Sequence, residues 1–189
     1  MGARRRATDK PTLEGELVRL RPIGPRDVDG MWELVTDPQS RRVTGTQVTF
    51  TREQIERWCA DAHQAEGRVD LAVTAGGSDE YLGEIVLSDI DELNGSASLR
   101  LSLRPGSRGR GYGTEAIGLV LGLAFDGYGL HRVSLDVLAI NPRAQALYEG
   151  VGFRPEGRMR DAYRDGDRWS DAIVMGILED EFRAGSDRG

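Results

Sequence analysis

The sequence predicts one mixed α/β domain, and three observations carry that reading. Apolar spacing switches between period two and helical spacing in the order βααβββαβαββ, with no internal repeat and no linker. The 189 residues, 39% hydrophobic and 30% charged, suit a single core of ordinary size. No run approaches the roughly 20 apolar residues that span a bilayer. Composition also excludes function classes. A lone cysteine, Cys59, forms no internal disulfide, and with only His63 and His131 besides there is no zinc-type ligand set, so no metal is expected. The net charge of −6, from 25 basic and 31 acidic side chains, disfavours non-specific nucleic-acid binding and mildly favours cationic partners. The amino terminus is basic without the apolar stretch of a secretory signal, no membrane association is expected, and the chain reads as cytoplasmic.

Residues 1–12, with Arg4, Arg5 and Arg6, read as a flexible basic tail, and 183–189 as a second tail around a domain over 13–182. Leu17 to Ile23 alternates apolar and polar residues and predicts a strand ending near Pro22. Val28, Met31, Trp32 and Val35 take helical spacing. So do Ile55, Trp58, Cys59 and Ala62, behind the helix-start signal Thr51-Arg52-Glu53-Gln54, with a loop expected over 37–50. Strands follow over 69–75, 81–88 and 96–103, separated by Gly76-Gly77-Ser78-Asp79 and Asp91-Glu92-Leu93-Asn94-Gly95, a meander. A glycine-rich segment, Arg104 to Gly113, then opens a helix bearing Ile117, Val120, Leu121, Ala124 and Phe125. Val133, Leu135 and Val137 mark a strand over 132–138, and Asn141-Pro142 caps a short helix to Gly150. Two last strands, about 152–160 and 169–178, flank the hairpin signal Asp165-Gly166.

The segment from Leu101 to Thr114 carries the first chemical signal. A strand feeds a glycine-rich loop and the loop feeds a helix, so backbone N–H groups and the positive end of the helix dipole converge where an anion can sit. Glycines allow close approach, and Arg104, Arg108 and Arg110 supply cationic donors. A P-loop needs Lys and then Ser or Thr after its second glycine, but Tyr112 follows Gly111. The dinucleotide fingerprint needs a glycine where Thr114 stands.

Two blocks resemble the GCN5-related N-acetyltransferase (GNAT) superfamily. The first is Arg108-Gly109-Arg110-Gly111-Tyr112-Gly113 at the start of a long helix. The second is Asn141-Pro142-Arg143-Ala144-Gln145-Ala146-Leu147-Tyr148-Glu149-Gly150-Val151-Gly152-Phe153. The element order is similar too, and Tyr81 to Ile85, Gly129 to Val133 and Glu156 to Asp171 look most like the branch that modifies ribosomal-protein amino termini. The resemblance implies a mostly antiparallel seven-stranded sheet with about four helices, splayed open to admit acetyl-coenzyme A. By the same resemblance, Arg108, Gly109, Arg110, Gly111, Tyr112, Gly113 and Thr114 would hold the pyrophosphate. Leu101, Ser102 and Leu103 would pair with the pantetheine arm, with Asn141 and Ala144 beside it.

Asn141 is a helix N-cap and, by the resemblance, a polar contact to that arm. Tyr148 is a half-buried helix aromatic or, in the family role, the acid that protonates the departing thiolate. Glu84 is an exposed strand carboxylate or the base that takes a proton from the amine. Glu33, Asp37, Asp161, Tyr163 and Asp171, with Glu84, fall in segments that form the family's acceptor mouth. His131 reads as structural, and Cys59, on an apolar helix face, is no acyl carrier. The function expected is transfer of an acetyl group to a primary amine by direct attack in a ternary complex. The acceptor is a protein amino terminus, a polyamine or an aminoglycoside, and a homodimer is plausible from the exposed sheet edges. A non-catalytic acyl-coenzyme A sensor is the competing class, and an RNA-associated module using Arg4 to Arg6 is disfavoured by charge.

Overall fold

In the computed structural model of the protein, residues 10–186 are described, so Arg4 to Arg6 and residues 187–189 lie outside the described part. The strands are β1 (Leu13–Glu14), β2 (Val18–Pro22), β3 (Val69–Ala75), β4 (Tyr81–Asp91), β5 (Ser96–Leu103), β6 (Arg132–Leu138), β7 (Arg154–Asp165) and β8 (Arg168–Leu178). The helices are α1 (Val28–Thr36), α2 (Pro38–Thr44), α3 (Arg52–Asp61), α4 (Tyr112–Gly122), α5 (Pro142–Val151) and α6 (Glu179–Ser186). All eight strands form one sheet in the order β1-β2-β3-β4-β5-β6-β8-β7. Every pairing is antiparallel except β5 with β6. No helix among the described residues is long and apolar enough to cross a membrane.

The class is the one expected, with an extra strand and extra helices. β1 has two residues, too short to show a period. α2 occupies the segment read as a loop over 37–50. Asp37 caps it by accepting the Ser40 N–H at 2.6 Å, Pro38 takes the first helical position, and Gly45 closes it at φ 68°. α6 runs to Ser186, into the stretch expected as a tail; Arg183 pairs with Glu179 within it and ties it to Asp126, each at 2.8 Å. Lys10, expected in the amino-terminal tail, bridges Asp70 at 3.6 Å with its side chain only 5% exposed.

Alternation along β3 divides the core between the two faces of the sheet. Leu71 and Val73 join the larger cluster with Ile117, Val120, Leu121 and Phe125 beneath α4, whereas Ala72 joins Met31, Ile55, Cys59 and Tyr81 beneath α1 and α3. Register carries the same division across the sheet, since Ala72 faces Glu84 and Glu84 faces Ser102. Glu84, Arg100 and Ser102 therefore share the face covered by α1 and α3, while Leu99 and Leu101 look toward α4 and α5.

β5 and β6 pair only through Ser96–Ser98 against Arg132–Ser134, and beyond Ser98 they part. β6 stays with β8 along its whole length, so the carboxyl half of β5 has no strand on that side. The sheet is open there.

Candidate active site

The Arg104 N–H donates to the Leu82 carbonyl at 2.8 Å, which fixes the phase of the β4–β5 ladder. In an antiparallel pair the ladder groups alternate in direction. Even-numbered residues of β5 therefore turn their backbone toward β4, and Leu101 and Leu103 turn theirs into the gap. Ser102, expected to offer its backbone there, spends it on β4 and reaches the opening through its side chain. A continuous cleft of about 750 Å³ passes through the gap, from α1 and α3 on one face to the start of α4 and α5 on the other.

At one end of the cleft lies the start of α4. Gly111 is its N-cap at φ 83° and brings no side-chain cap. The first helical amides, Tyr112, Gly113 and Thr114, thus have no acceptor within the helix and sit at the positive end of its dipole. A Cβ on Gly113 would stand 3.1 Å from Leu101 Cδ2 and 3.2 Å from Leu147 Cδ2, so any larger residue would push both leucines back where α4 meets β5 and α5. Arg108 is held by two bonds, Nε to the Leu103 carbonyl at 3.0 Å and Nη2 to Ser40 Oγ at 2.7 Å. Burial draws its pKa below the usual guanidinium value, with Asp37 opposing. Arg143, which the sequence reading passed over, projects its guanidinium against Gly109. Arg108, Gly109, Gly111, Gly113, Thr114 and Arg143 line the cleft. Arg110 and Tyr112 line instead a smaller recess of about 450 Å³ with Glu33, Asp37 and Arg104. The uncapped amides and the arginines fit a diphosphate, and the open ladder edge of β5 fits an extended amide-bearing arm, which together describe coenzyme A.

α5 supplies the middle of the cleft. The Asn141 carbonyl oxygen of the side chain accepts the Ala144 N–H at 3.2 Å, and its Nδ2 donates to the Val43 carbonyl at 3.4 Å. Asn141 therefore caps α5 and braces α2 while it lines the opening with Ala144. Tyr148 reaches across the gap, its ring edge-on to Phe153 with centroids 5.7 Å apart. Burial pushes its phenol up to about 12, and a backbone hydrogen bond from Leu101 works against that rise.

Beyond Tyr148, on the α1–α3 face, stands Glu84. It accepts from Arg100 Nη2 at 2.8 Å, and burial raises its pKa, with Arg100 opposing and Asp70 adding to the rise. Arg68 lines the same end and grips Asp70 bidentately. The other acceptor acids expected from sequence do not line the cleft. Glu33 pairs with Arg104, and Asp37 is the cap of α2. Asp171 accepts the Asp161 N–H at 3.0 Å and pairs with Arg158 at 3.2 Å. Tyr163 donates to Asp136 at 2.9 Å, and its ring lies against Gly45. Asp161, Arg158 and Asp171 thus bond within the β7–β8 hairpin, Tyr163 ties it to β6, and Arg42 with Asp165 at 2.9 Å ties it to α2. In their place the cleft presents Met31, Val35, Ile55 and Trp58, whose helical spacing marked them only as core, and Phe50, which closes the segment expected as a loop. Cys59 lies fully buried beneath them, its thiol pushed up to about 11 by burial, and is no nucleophile.

A splayed sheet with an uncapped helix start and a buried tyrosine at the gap defines an acyl-coenzyme A transferase fold. The sequence profile of the acetyltransferase (GNAT) domain matches residues 18–154. The chain belongs to that family: it is an N-acetyltransferase whose acetyl donor is acetyl-coenzyme A. It is 30% identical over 101 residues to the spermidine N(1)-acetyltransferase of Vibrio cholerae, covering 53% of this chain and 58% of that one. A Bacillus subtilis protein, YdaF, named as a candidate ribosomal N-acetyltransferase, is 23% identical over 88% of this chain and 94% of its own. Among solved structures, spermidine N-acetyltransferase from Vibrio cholerae in complex with coenzyme A and spermine superposes with a TM-score of 0.81 at 22% identity, over 89% of this chain and 99% of that one.

Proposed function

We propose that this chain transfers the acetyl group directly to a primary amine in a ternary complex, with Tyr148 as general acid and Glu84 as the route for the amine's proton. Acetyl-coenzyme A supplies a thioester, an acyl group already activated toward an amine. The observation that carries the reading is Tyr148, a buried phenol where β5 and β6 part, oriented by the backbone of Leu101. A phenol held near 12 keeps its proton at neutral pH and can give it from Oη to a thiolate leaving group. Leu101 offers its ladder groups to the arm of the donor, while the Gly111 to Thr114 amides with Arg108 and Arg143 hold the diphosphate.

Only a neutral amine attacks a thioester, so the ammonium must first lose a proton. Glu84 lines the same cleft on the far side of the gap, and its raised pKa suits it to accept that proton at Oε2, directly or through water. A sensor that only bound the donor would have no use for an acid and a base flanking one opening. With Cys59 inert, no acyl-enzyme is needed.

The experiment is mass spectrometry of the protein after rapid mixing with acetyl-coenzyme A. Without amine, we expect unmodified protein and no coenzyme A release. With a competent amine, we expect one coenzyme A per acetylated product. An acetylated protein that passes its acetyl group to the amine would overturn direct attack.

A further inference from the structure

The acceptor end of the cleft has a chemistry that its counterparts' names do not announce. Its walls are the side chains of Met31, Val35, Phe50, Ile55 and Trp58, drawn from α1, α3 and the segment between α2 and α3. Its charged groups are Glu84, Arg100 and Arg68, with Arg41 alongside, its guanidinium given to the Val35 and Val48 carbonyls, and the carboxylate is already bonded to Arg100 Nη2. Asp70 stands behind Arg68 but is fully engaged, held bidentately by Arg68 and bridged by Lys10, and is 1% exposed. The Arg100 side chain, by contrast, remains 58% exposed, and one Nη2 bond to Glu84 leaves its fork able to serve a second acceptor.

A polyamine entering here would meet the guanidinium groups of Arg41, Arg68 and Arg100 and a single carboxylate that Arg100 already holds. Each further ammonium would be desolvated beside like charge with no partner, which is costly. The acidic groups that sequence suggested for such a ligand are spent outside the cleft on Arg104, Arg158 and the cap of α2. An apolar body, in turn, gains by leaving water for the Trp58 and Phe50 side of the cleft.

We infer that the acceptor is a small amine with an aromatic or branched apolar body and one carboxylate, the chemistry of an apolar amino acid, rather than a polycation. The amine faces Glu84 and Tyr148, the carboxylate takes the open side of Arg100, and the body lies against Trp58, Phe50 and Ile55. This rests on the transfer reading above.

The test is coenzyme A release with phenylalanine and leucine, their decarboxylated counterparts phenethylamine and 3-methylbutylamine, spermidine, and a tetrapeptide with a free amino terminus. We expect kcat/KM for the amino acids to exceed that for the matched amines by about tenfold or more, and spermidine to be the poorest. Arg100→Gln should collapse the ratio of phenylalanine to phenethylamine, a readout that damage to Glu84 alone would not move because it lowers both rates together. Trp58→Ala should raise KM for both aromatic amines and leave acetyl-coenzyme A binding unchanged, which also reports folding. Preference for spermidine, or acetylation of the tetrapeptide alone, overturns the acceptor inference, and if that activity still falls in Tyr148→Phe the transfer reading survives. Silence across the panel with acetyl-coenzyme A bound overturns the acceptor inference and the transfer reading together.

Discussion

Arg100 Nη2 donates to Glu84 Oε1 at 2.8 Å from the neighbouring strand, two residues along β5 from the register partner Ser102 and on the same face. The bond restrains a carboxylate that burial would otherwise leave neutral over a still wider pH range, so the two effects set where Glu84 ionises. Because burial is the larger, the folded pKa stands above the ordinary carboxylate value.

That sign makes two outcomes for Glu84→Gln. A group whose folded pKa is raised favours folding below its unfolded pKa and loses that benefit as pH rises through the folded value. At pH 8 Glu84→Gln should therefore melt no lower than the parent, and the difference should shrink toward pH 4. Activity should move the other way: the rising limb of kcat/KM assigned to Glu84 should vanish, with a loss of about 100-fold near neutral pH. Melting curves and rate profiles over that range decide both. Lower stability at pH 8 with an unshifted rate profile would place the ionisation elsewhere.

Gly111→Ala should weaken donor binding more than it weakens the fold. The residue sits at φ 83° as the N-cap of α4, a conformation that costs an alanine about 1–2 kcal/mol. The added methyl would also stand 3.1 Å from Leu17 Cδ1. Calorimetric titration with coenzyme A should give a higher Kd, alongside a modest fall in Tm.

Glu115→Ala should destabilise the domain without touching the cleft. The Glu115 carboxylate, one turn into α4, accepts the N–H groups of Glu16, Leu17 and Val18 at 2.8, 2.8 and 2.7 Å, and so ties the first hairpin to the helix. Losing a charged acceptor shared by three amides should cost about 2 kcal/mol. Chemical denaturation measures this, and an unchanged midpoint would show that water replaces the carboxylate at no cost.

The sequence carried the scaffold of the site better than its specificity. Glycine spacing from Arg108 to Gly113 and the Asn141–Tyr148 block are local signals, and the residues they name line one cleft, Arg110, Tyr112, Gln145 and Ala146 excepted. Acceptor residues are assembled from segments far apart in the chain, so no local pattern marks them. Trp58 looks like core because, like Phe50, it is partly buried and packs against the cluster beneath α1 and α3. Arg100 looks like the solvated face of a strand because period two is blind to which face a helix later covers, and Arg68 stands just before the strand that opens at Val69. Asp37 shows the reverse error. Asp37-Pro38 is a helix-start signal in its own right, and reading its charge as a binding group concealed α2.

The most direct test of the account is the steady-state rate and acetyl-coenzyme A affinity of Tyr148→Phe, with whichever amine the parent acetylates best. Removing the Oη proton while keeping the ring against Phe153 should lower kcat by about 100-fold or more and leave the Kd for acetyl-coenzyme A within about twofold. A variant that turns over at the parental rate would contradict the assignment of Tyr148 as the acid and, with it, the mechanism built around the opening in the sheet.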